Sequence, residues 1–138
     1  MAIMDRTALF SDGQSVTATT FSTHVEDLGS HDIDYSRDTG LGTAIPLEVA
    51  VTQSFNNLTS LTISVETDDT AAFSSPTTVF TSPAYTLAQV AAGAKYLLPD
   101  ALPAGIAERY VRMKYTVSGT APTTGKITVG VCAARQSA

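Results

Sequence analysis

The chain is poor in the residue types on which several kinds of protein depend. It has no tryptophan, and among its 138 residues only 7% are aromatic and 15% charged. A site that stacks sugars needs aromatic rings, so the chain has few residues from which a carbohydrate-binding site could be built. Eight lysine and arginine residues stand against 13 aspartate and glutamate residues, which gives a formal net charge of −5. Because a nucleic-acid partner requires a cationic surface, we expect no nucleic-acid binding.

Cysteine and long apolar runs are also scarce. Cys132 is the single cysteine, which excludes a disulfide within the chain. Its apolar surroundings in the sequence predict a buried thiol. The first residues lack an apolar core long enough for a signal peptide, and no segment approaches the length of a membrane span. We therefore expect synthesis in a reducing cytoplasm and no membrane partner.

Motifs that carry chemistry are missing as well. There is no Walker loop, Rossmann glycine fingerprint, zinc-ligand spacing or nucleophile elbow. The nearest approach to a metal site is the acidic loop of residues 30–40, whose alternating oxygen groups are Asp32, Asp34, Ser36 and Asp38. Arg37 stands where a calcium loop needs glycine, and Thr43 where it needs glutamate. We interpret the segment as a polar loop, and we expect no metal, no cofactor and no enzymatic activity.

Alternation of apolar and polar residues is the strongest pattern present. In the segment 110–117 the apolar positions are Val111, Met113, Tyr115 and Val117, and alternation returns at Ile127, Val129 and Val131. Similar runs occupy residues 15–29, 47–55 and 58–67, with a shorter one at Val79 and Phe80. Surface scaling indicates that a chain of this size buries roughly two-thirds of its surface, enough for a core. These features predict an all-β, single-domain, jelly-roll-like β-sandwich over residues 1–138.

Two local signals refine this prediction. Thr86 and Gln89 match a capping box and Gly93 can end a helix, so at most one short helix is expected there. Asn56 and Asn57 separate two strand-like runs, which predicts a hairpin or another tight connection.

Two groups of residues are candidates for contact with a partner. If segments 110–117 and 126–131 lie side by side, one polar face displays Tyr110, Arg112, Lys114 and Lys126. Tyrosine and arginine often anchor interfaces, so we hypothesise that this face meets an acidic or polar surface of a partner. The alternative is an ordinary solvated sheet face. The second candidate is the N-terminal segment, residues 1–10, in which Leu9 and Phe10 could reach a neighbour from a mobile end.

Four stretches of the sequence, in a characteristic order, carry a resemblance to a known family. They are ALFSDGQSVTATTFSTHVEDLG, GLGTAIPLEVAVTQSF, SLTISVETDDTAAFSSPTTVFTS and LPAGIAERYVRMKYTVSGTAPTTGKITVGV. Together they cover most of the chain and resemble the capsid cement (decoration) proteins of tailed bacteriophages, of the Bordetella-phage type. Only SHDIDYSRDTG departs, being longer and more acidic than is typical of the family.

The resemblance implies both a function and partners. It implies a jelly-roll protein made in the bacterial host cytoplasm that sits on the outer surface of the phage capsid. There it would clamp neighbouring major capsid proteins and stabilise the shell against packaged DNA. It also implies a homo-oligomer, with a dimer favoured and a trimer possible. The alternative function is a carbohydrate-binding or adhesive β-sandwich on the virion surface.

Overall fold

Two antiparallel sheets account for nearly all regular structure in the computed structural model, which describes residues 3–30, 38–94 and 96–135. The described residues form nine strands and one 3-10 helix at Leu87–Val90. The strands are β1 (Met4–Ser15), β2 (Thr20–Phe21), β3 (Glu26–Asp27), β4 (Leu47–Gln53), β5 (Leu58–Asp68), β6 (Thr77–Thr81), β7 (Tyr85–Thr86), β8 (Tyr110–Gly119) and β9 (Lys126–Cys132).

The order of the strands within the sheets defines the topology. The smaller sheet has the order β1–β9–β4, and the larger has the order β2–β8–β5–β6, with β3 also paired to β8 and β7 to β5. The first strand therefore neighbours the last in one sheet, and the second neighbours the last but one in the other. This winding of paired strands between two sheets is that of a jelly roll. The predicted all-β, jelly-roll-like sandwich is confirmed.

The core lies between the two sheets and follows the alternation of the sequence. Side chains of β4, β5, β8 and β9 that point inward are buried, among them Leu47, Val49, Val51, Leu61, Ile63, Val65, Val111, Met113, Tyr115, Ile127 and Val129. Burying each aliphatic side chain of this kind contributes about 1.5–3 kcal/mol to folding before entropy is subtracted. The Tyr115 hydroxyl reaches the hydroxyl of Ser11 on the opposite sheet, 2.6 Å away. Burial raises the pKa of Tyr115 well above its ordinary value.

Two connections differ from the simplest interpretation of the sequence. β8 and β9 do not pair, because the turn between them passes from the larger sheet to the smaller. Likewise, Asn56 and Asn57 join β4 of the smaller sheet to β5 of the larger, so they form a tight connection and not a hairpin. Asn57 has a φ of 64°, a conformation that asparagine tolerates better than most residues.

The predicted short helix is present as a single 3-10 turn. The side-chain oxygen of Gln89 accepts a hydrogen bond of 2.9 Å from the backbone N–H of Thr86, as the capping-box pattern predicts. The chain then runs along the outer edge of β4, the edge that does not pair with β9. There the N–H of Gly93 donates to the carbonyl of Val51, and the N–H of Val51 donates to the carbonyl of Ala94.

The N-terminal segment is part of the smaller sheet from Met4 onward. Met4 pairs with Cys132 and Leu9 with Gly130, although the register between them is irregular. Phe10 is fully buried in the core. The expectation that residues 1–10 form a mobile end therefore does not describe Met4 to Phe10, and residues 1–2 lie outside the described part of the chain.

Candidate contact surface

The outer face of the larger sheet is set by the register of its strands. Lys114 lies opposite Phe21 of β2 and Ser64 of β5, and Arg112 lies opposite Glu66 of β5. Residues directly opposite one another in an antiparallel pair point to the same side of the sheet. Since the alternate residues of β8 point into the core, these side chains point away from it.

Arg112 forms the centre of this face. Its guanidinium carbon lies 3.6 Å from the ring centroid of Phe21 and 4.0 Å from that of Phe73, so the rings cover it from two sides. Arg112 also donates from Nε and Nη2 to Glu66 Oε2, at 3.0 and 2.8 Å. Lys114 Nζ lies 3.5 Å from the other carboxylate oxygen of Glu66. We call Phe21, Glu66, Phe73 and Arg112 the Arg112 stack.

The members of the Arg112 stack differ in their exposure. The side chains of Arg112 and Glu66 are 14% and 5% exposed, and Phe73 is buried. Phe21 is 41% exposed, because β2 has only two residues and its ring lies above the guanidinium at the edge of the sheet. The stack thus holds one aromatic ring in a fixed position at the surface.

Asp68 organises the loop that brings Phe73 to Arg112. One carboxylate oxygen accepts from the N–H and hydroxyl of Thr70, and the other accepts from the N–H of Ser75. Hydrogen bonds from these backbone N–H groups lower the pKa of Asp68. Phe73 has a φ of 48°, an uncommon conformation for a bulky residue that the surrounding hydrogen bonds maintain.

A second ion pair lies beside the stack. Arg109 donates from Nε and Nη2 to the two oxygens of Asp27, at 2.7 and 2.8 Å, and the two side chains are 36% and 45% exposed. The Arg109 guanidinium carbon also lies 4.9 Å from the ring centroid of Tyr110. Each cation of this face, Arg109, Arg112 and Lys114, is therefore within ion-pair distance of a carboxylate of the same chain.

The structure brings together three of the four residues predicted for a polar contact face. Tyr110, Arg112 and Lys114 share the outer face of the larger sheet. Lys126 lies on β9 of the smaller sheet, opposite Ser15, so its placement on the same face is wrong. The physical reason is that β8 and β9 belong to different sheets. Sequence reasoning missed Phe21, Glu66 and Phe73, whose proximity to Arg112 depends on strand pairing.

The second pair of predicted contact residues separates into one buried and one half-buried side chain. Phe10 belongs to the core, so it is not available at the surface. Leu9 lies between two open cavities of about 410 Å³ each, and Arg6, Leu9 and Asp12 line both. One cavity continues to His24 and Glu26, and desolvation raises the pKa of Glu26.

Within residues 3–30, 38–94 and 96–135, no group of three or more His, Cys, Asp or Glu side chains is arranged to hold a metal ion. The acidic loop falls largely outside the described residues, since only residues 30 and 38–40 of it are included. In the described chain no helix has the length and apolar character needed to cross a membrane.

Comparison with known proteins gives the class to which this jelly-roll domain belongs. That class is a bacteriophage protein family, which indicates association with the virion. The chain belongs to the Bbp16 family, a Bordetella phage protein family whose sequence profile matches residues 10–131. The match runs from β1 into β9 and includes the whole Arg112 stack. No curated protein matches the chain.

Proposed function

We propose that the chain is a structural virion protein that binds the outer surface of a phage head and clamps neighbouring major capsid proteins. Its membership of a phage family and the resemblance to capsid cement proteins support this role. In the proposed role it acts without catalysis, without a metal or cofactor, and without contact to nucleic acid or membrane. A clamp of this kind works by adding interface area on a rigid frame, and a two-sheet sandwich supplies such a frame.

The observation that carries the proposal is the exposed ring of Phe21 held by Arg112. Aromatic side chains are enriched among residues that dominate interface energetics. The ring already lies against the guanidinium at 3.6 Å, so binding a partner would require little further ordering of this side chain. We assign Phe21, Tyr110 and Lys114 to the contact itself. Arg112 is a positioning residue, because it acts through the ring that it supports.

The charges refine the hypothesis of an acidic or polar partner surface. Glu66 already neutralises part of the charge of Arg112 and Lys114, at 2.8 and 3.5 Å. Lys114 is the more exposed of the two cations, with 36% of its side chain accessible. In the proposed contact, Lys114 therefore pairs with an acidic or polar group of the capsid subunit, while the Arg112–Glu66 pair stays intact.

Repetition over a lattice would multiply a modest contact. A copy that touches two subunits rebinds the second as an intramolecular event, which can raise the overall affinity by about 10²–10⁴. We propose that the protein acts as a homo-oligomer, with a dimer favoured and a trimer possible. Light scattering of the purified chain measures its mass in solution, and a monomer at capsid-binding concentrations would contradict this part of the proposal.

The test uses phage heads assembled without this protein. Purified chain is added, heads are sedimented, and quantitative mass spectrometry gives the number of copies per major capsid protein. A ratio near one supports a lattice-wide clamp, a handful of copies indicates a vertex, neck or tail position, and no bound chain refutes the proposal. Phe21→Ala is expected to weaken binding by at least about tenfold, as for a residue that anchors an interface. Leu87→Ala is the matched control, since Leu87 is 40% exposed and lies in the 3-10 helix, outside the Arg112 stack.

One observation favours the alternative function. The outward side of the Phe21 ring is a surface on which a sugar could stack, as aromatic rings do in carbohydrate sites. A glycan array separates the two functions. Sugar binding that is lost in Phe21→Ala, without binding to heads, would support an adhesive β-sandwich on the virion.

A further inference from the structure

A buried carboxylate lies on the outer face of the smaller sheet, where the alternation of the strand predicts exposure. Leu47 and Val49 of β4 point into the core, so Glu48 between them points outward, yet it is only 2% exposed. Its cross-strand neighbour on β9 is Gly130. The side chains of Leu9 and Met4 fold over this glycine, since a Cβ there would lie 2.5 Å from Leu9 Cδ2 and 3.1 Å from Met4 Cε. A charged group in this setting has lost most of its hydration.

Arg135 covers this carboxylate but does not satisfy it. Nε of Arg135 lies 3.8 Å from Oε2 of Glu48, too far for a hydrogen bond. Both atoms are buried, and neither has a hydrogen-bond partner among the described residues. The guanidinium instead donates from Nη2 to the carbonyl of Leu97, at 3.0 Å, and its carbon lies 5.5 Å from the ring centroid of Tyr96.

Among the described residues, the segment that carries Arg135 makes few other hydrogen bonds. The N–H of Ala133 donates to the carbonyl of Ile3 at 2.9 Å, which extends the pairing of β1 and β9 by one bond. The attraction between two buried opposite charges offsets their loss of hydration only when their geometry is good and their remaining hydrogen bonds are made. Here the two charged groups are 3.8 Å apart, and Glu48 Oε2 and Arg135 Nε make no hydrogen bond among the described residues. Opening the segment returns both charges to water, at the cost of the hydrogen bonds to Leu97 and Ile3.

We propose that residues 133–135 form a releasable strap over Glu48, and that the free protein populates both a closed and an open form. The closed form is the one described above. In the open form Arg135 leaves Glu48, the Ala133–Ile3 hydrogen bond breaks, and the side chains of Glu48 and Cys132 become accessible. Local opening of this kind occurs well below the free energy of global unfolding when few contacts hold a segment. The strap does not depend on the proposed binding to phage heads.

Cys132 reports directly on the strap. It is the single cysteine of the chain, it is buried, and it immediately precedes the strap. Burial raises the pKa of its thiol, with the nearby charge of Glu48 adding to this and that of Arg135 opposing it. A chromogenic disulfide reagent therefore reacts at one position only, and its rate measures how often that position becomes accessible.

The experiment measures this rate for the full chain in a series of urea concentrations below the unfolding transition. For the wild type we expect a slow reaction with a weak dependence on urea, as for an opening that exposes little surface. Arg135→Gln is expected to react at least about tenfold faster, with the same weak dependence, because Glu48 is then buried without its cation. Arg109→Gln, which removes an arginine from an ion pair on the other sheet, should leave the rate unchanged.

Two further measurements distinguish opening of the strap from a general loss of stability in Arg135→Gln. Hydrogen exchange of the Ala133 amide should accelerate together with the thiol reaction, because both belong to one opening. The double variant Glu48→Gln/Arg135→Gln should react no faster than Arg135→Gln, since both changes break the same contact. The strap is refuted if thiol reactivity follows global unfolding in urea, if Ala133 stays protected in Arg135→Gln, or if the two substitutions act independently.

Discussion

Replacing Arg112 by methionine tests whether the Arg112 stack is an energetic unit. The substitution removes the cation but leaves an unbranched apolar side chain between Phe21 and Phe73. Glu66, which is only 4% exposed, then retains Lys114, at 3.5 Å, as its one nearby cation in the described part of the chain. We expect the free energy of unfolding to fall because a buried carboxylate has lost its closest partner.

The expected loss can be worked out from the contacts. Removing one partner of a buried ion pair costs about 3–5 kcal/mol, and the remaining Lys114 keeps the cost near the lower end. Each cation–π contact contributes about 0.5–2 kcal/mol, part of which the methionine side chain recovers by packing on the same rings. We therefore expect Arg112→Met to lower the free energy of unfolding by about 3 kcal/mol. For a chain of this length, such a loss lowers the melting temperature by about 10 °C.

Urea unfolding followed by circular dichroism is the appropriate assay, since the chain has no tryptophan. The double variant Arg112→Met/Glu66→Gln should be more stable than Arg112→Met alone, because a neutral amide does not require the cation. Arg109→Met is the matched control, and disrupting this more exposed pair should cost less than about 1 kcal/mol. If Arg112→Met costs no more than that control, or if Glu66→Gln does not relieve it, the reasoning about the stack is refuted.

Three more substitutions test other parts of the structure. Hydrogen bonds from backbone N–H groups hold the pKa of Asp68 below its ordinary value of 3.8, so its carboxylate stabilises the fold above that pH. The contribution disappears as the pH falls through the lowered pKa. Asp68→Asn should therefore be less stable than wild type at neutral pH, and the difference in urea titrations should shrink as the solution is acidified below that value. Burial raises the pKa of Tyr115, so the wild type loses stability as the pH rises above about 10. Tyr115→Phe removes the hydrogen bond to Ser11, which should lower the free energy of unfolding by about 0.5–1.5 kcal/mol at neutral pH. In thermal melts this variant should be less sensitive to alkali than the wild type. Gly125→Ala should cost about 1–3 kcal/mol in a thermal melt, because φ is 140° and the added methyl group meets the ring of Phe55.

Each of these has a control or a contradicting outcome. Gly42→Ala places its methyl group in open space and should melt like the wild type. A Gly125→Ala protein of wild-type stability would show that the ring opposite it moves freely. A constant difference between Asp68→Asn and wild type at every pH would assign the effect to shape and not to charge. Equal alkaline sensitivity of Tyr115→Phe would assign it to the other tyrosines.

The sequence predicts the two sides of each strand better than it predicts which strands are neighbours. Val111, Met113 and Tyr115 face the core as their period of two requires. That period is the same whether β8 pairs with β9 or with β5, so it could not show that Lys126 belongs to the other sheet. The same limit explains Glu48, which occupies an outward position by pattern but is buried beneath Arg135.

The Arg112 stack combines segments that are far apart in the sequence, and only part of it carried a local signal. Asp68 followed by Thr70 is the pattern of a turn closed by an aspartate side chain, and it could have predicted the loop that contains Phe73. Nothing local indicates that this loop leans over Arg112, or that Phe21 approaches from the other side. These contacts follow from the register of β2 and β5 against β8, which the tertiary fold determines.

The pairing of β1 with β9 has a consequence for how the protein is made. The smaller sheet cannot close until Lys126–Cys132 has left the ribosome, whereas β1 precedes that strand in the chain and emerges earlier. Closing so long a loop of chain is entropically unfavourable and slows folding, so that jelly rolls belong among domains that fold in milliseconds to seconds. Until then β1 has an unpaired edge, which a chaperone or another nascent chain can bind. Strand β1 must therefore wait for strand β9.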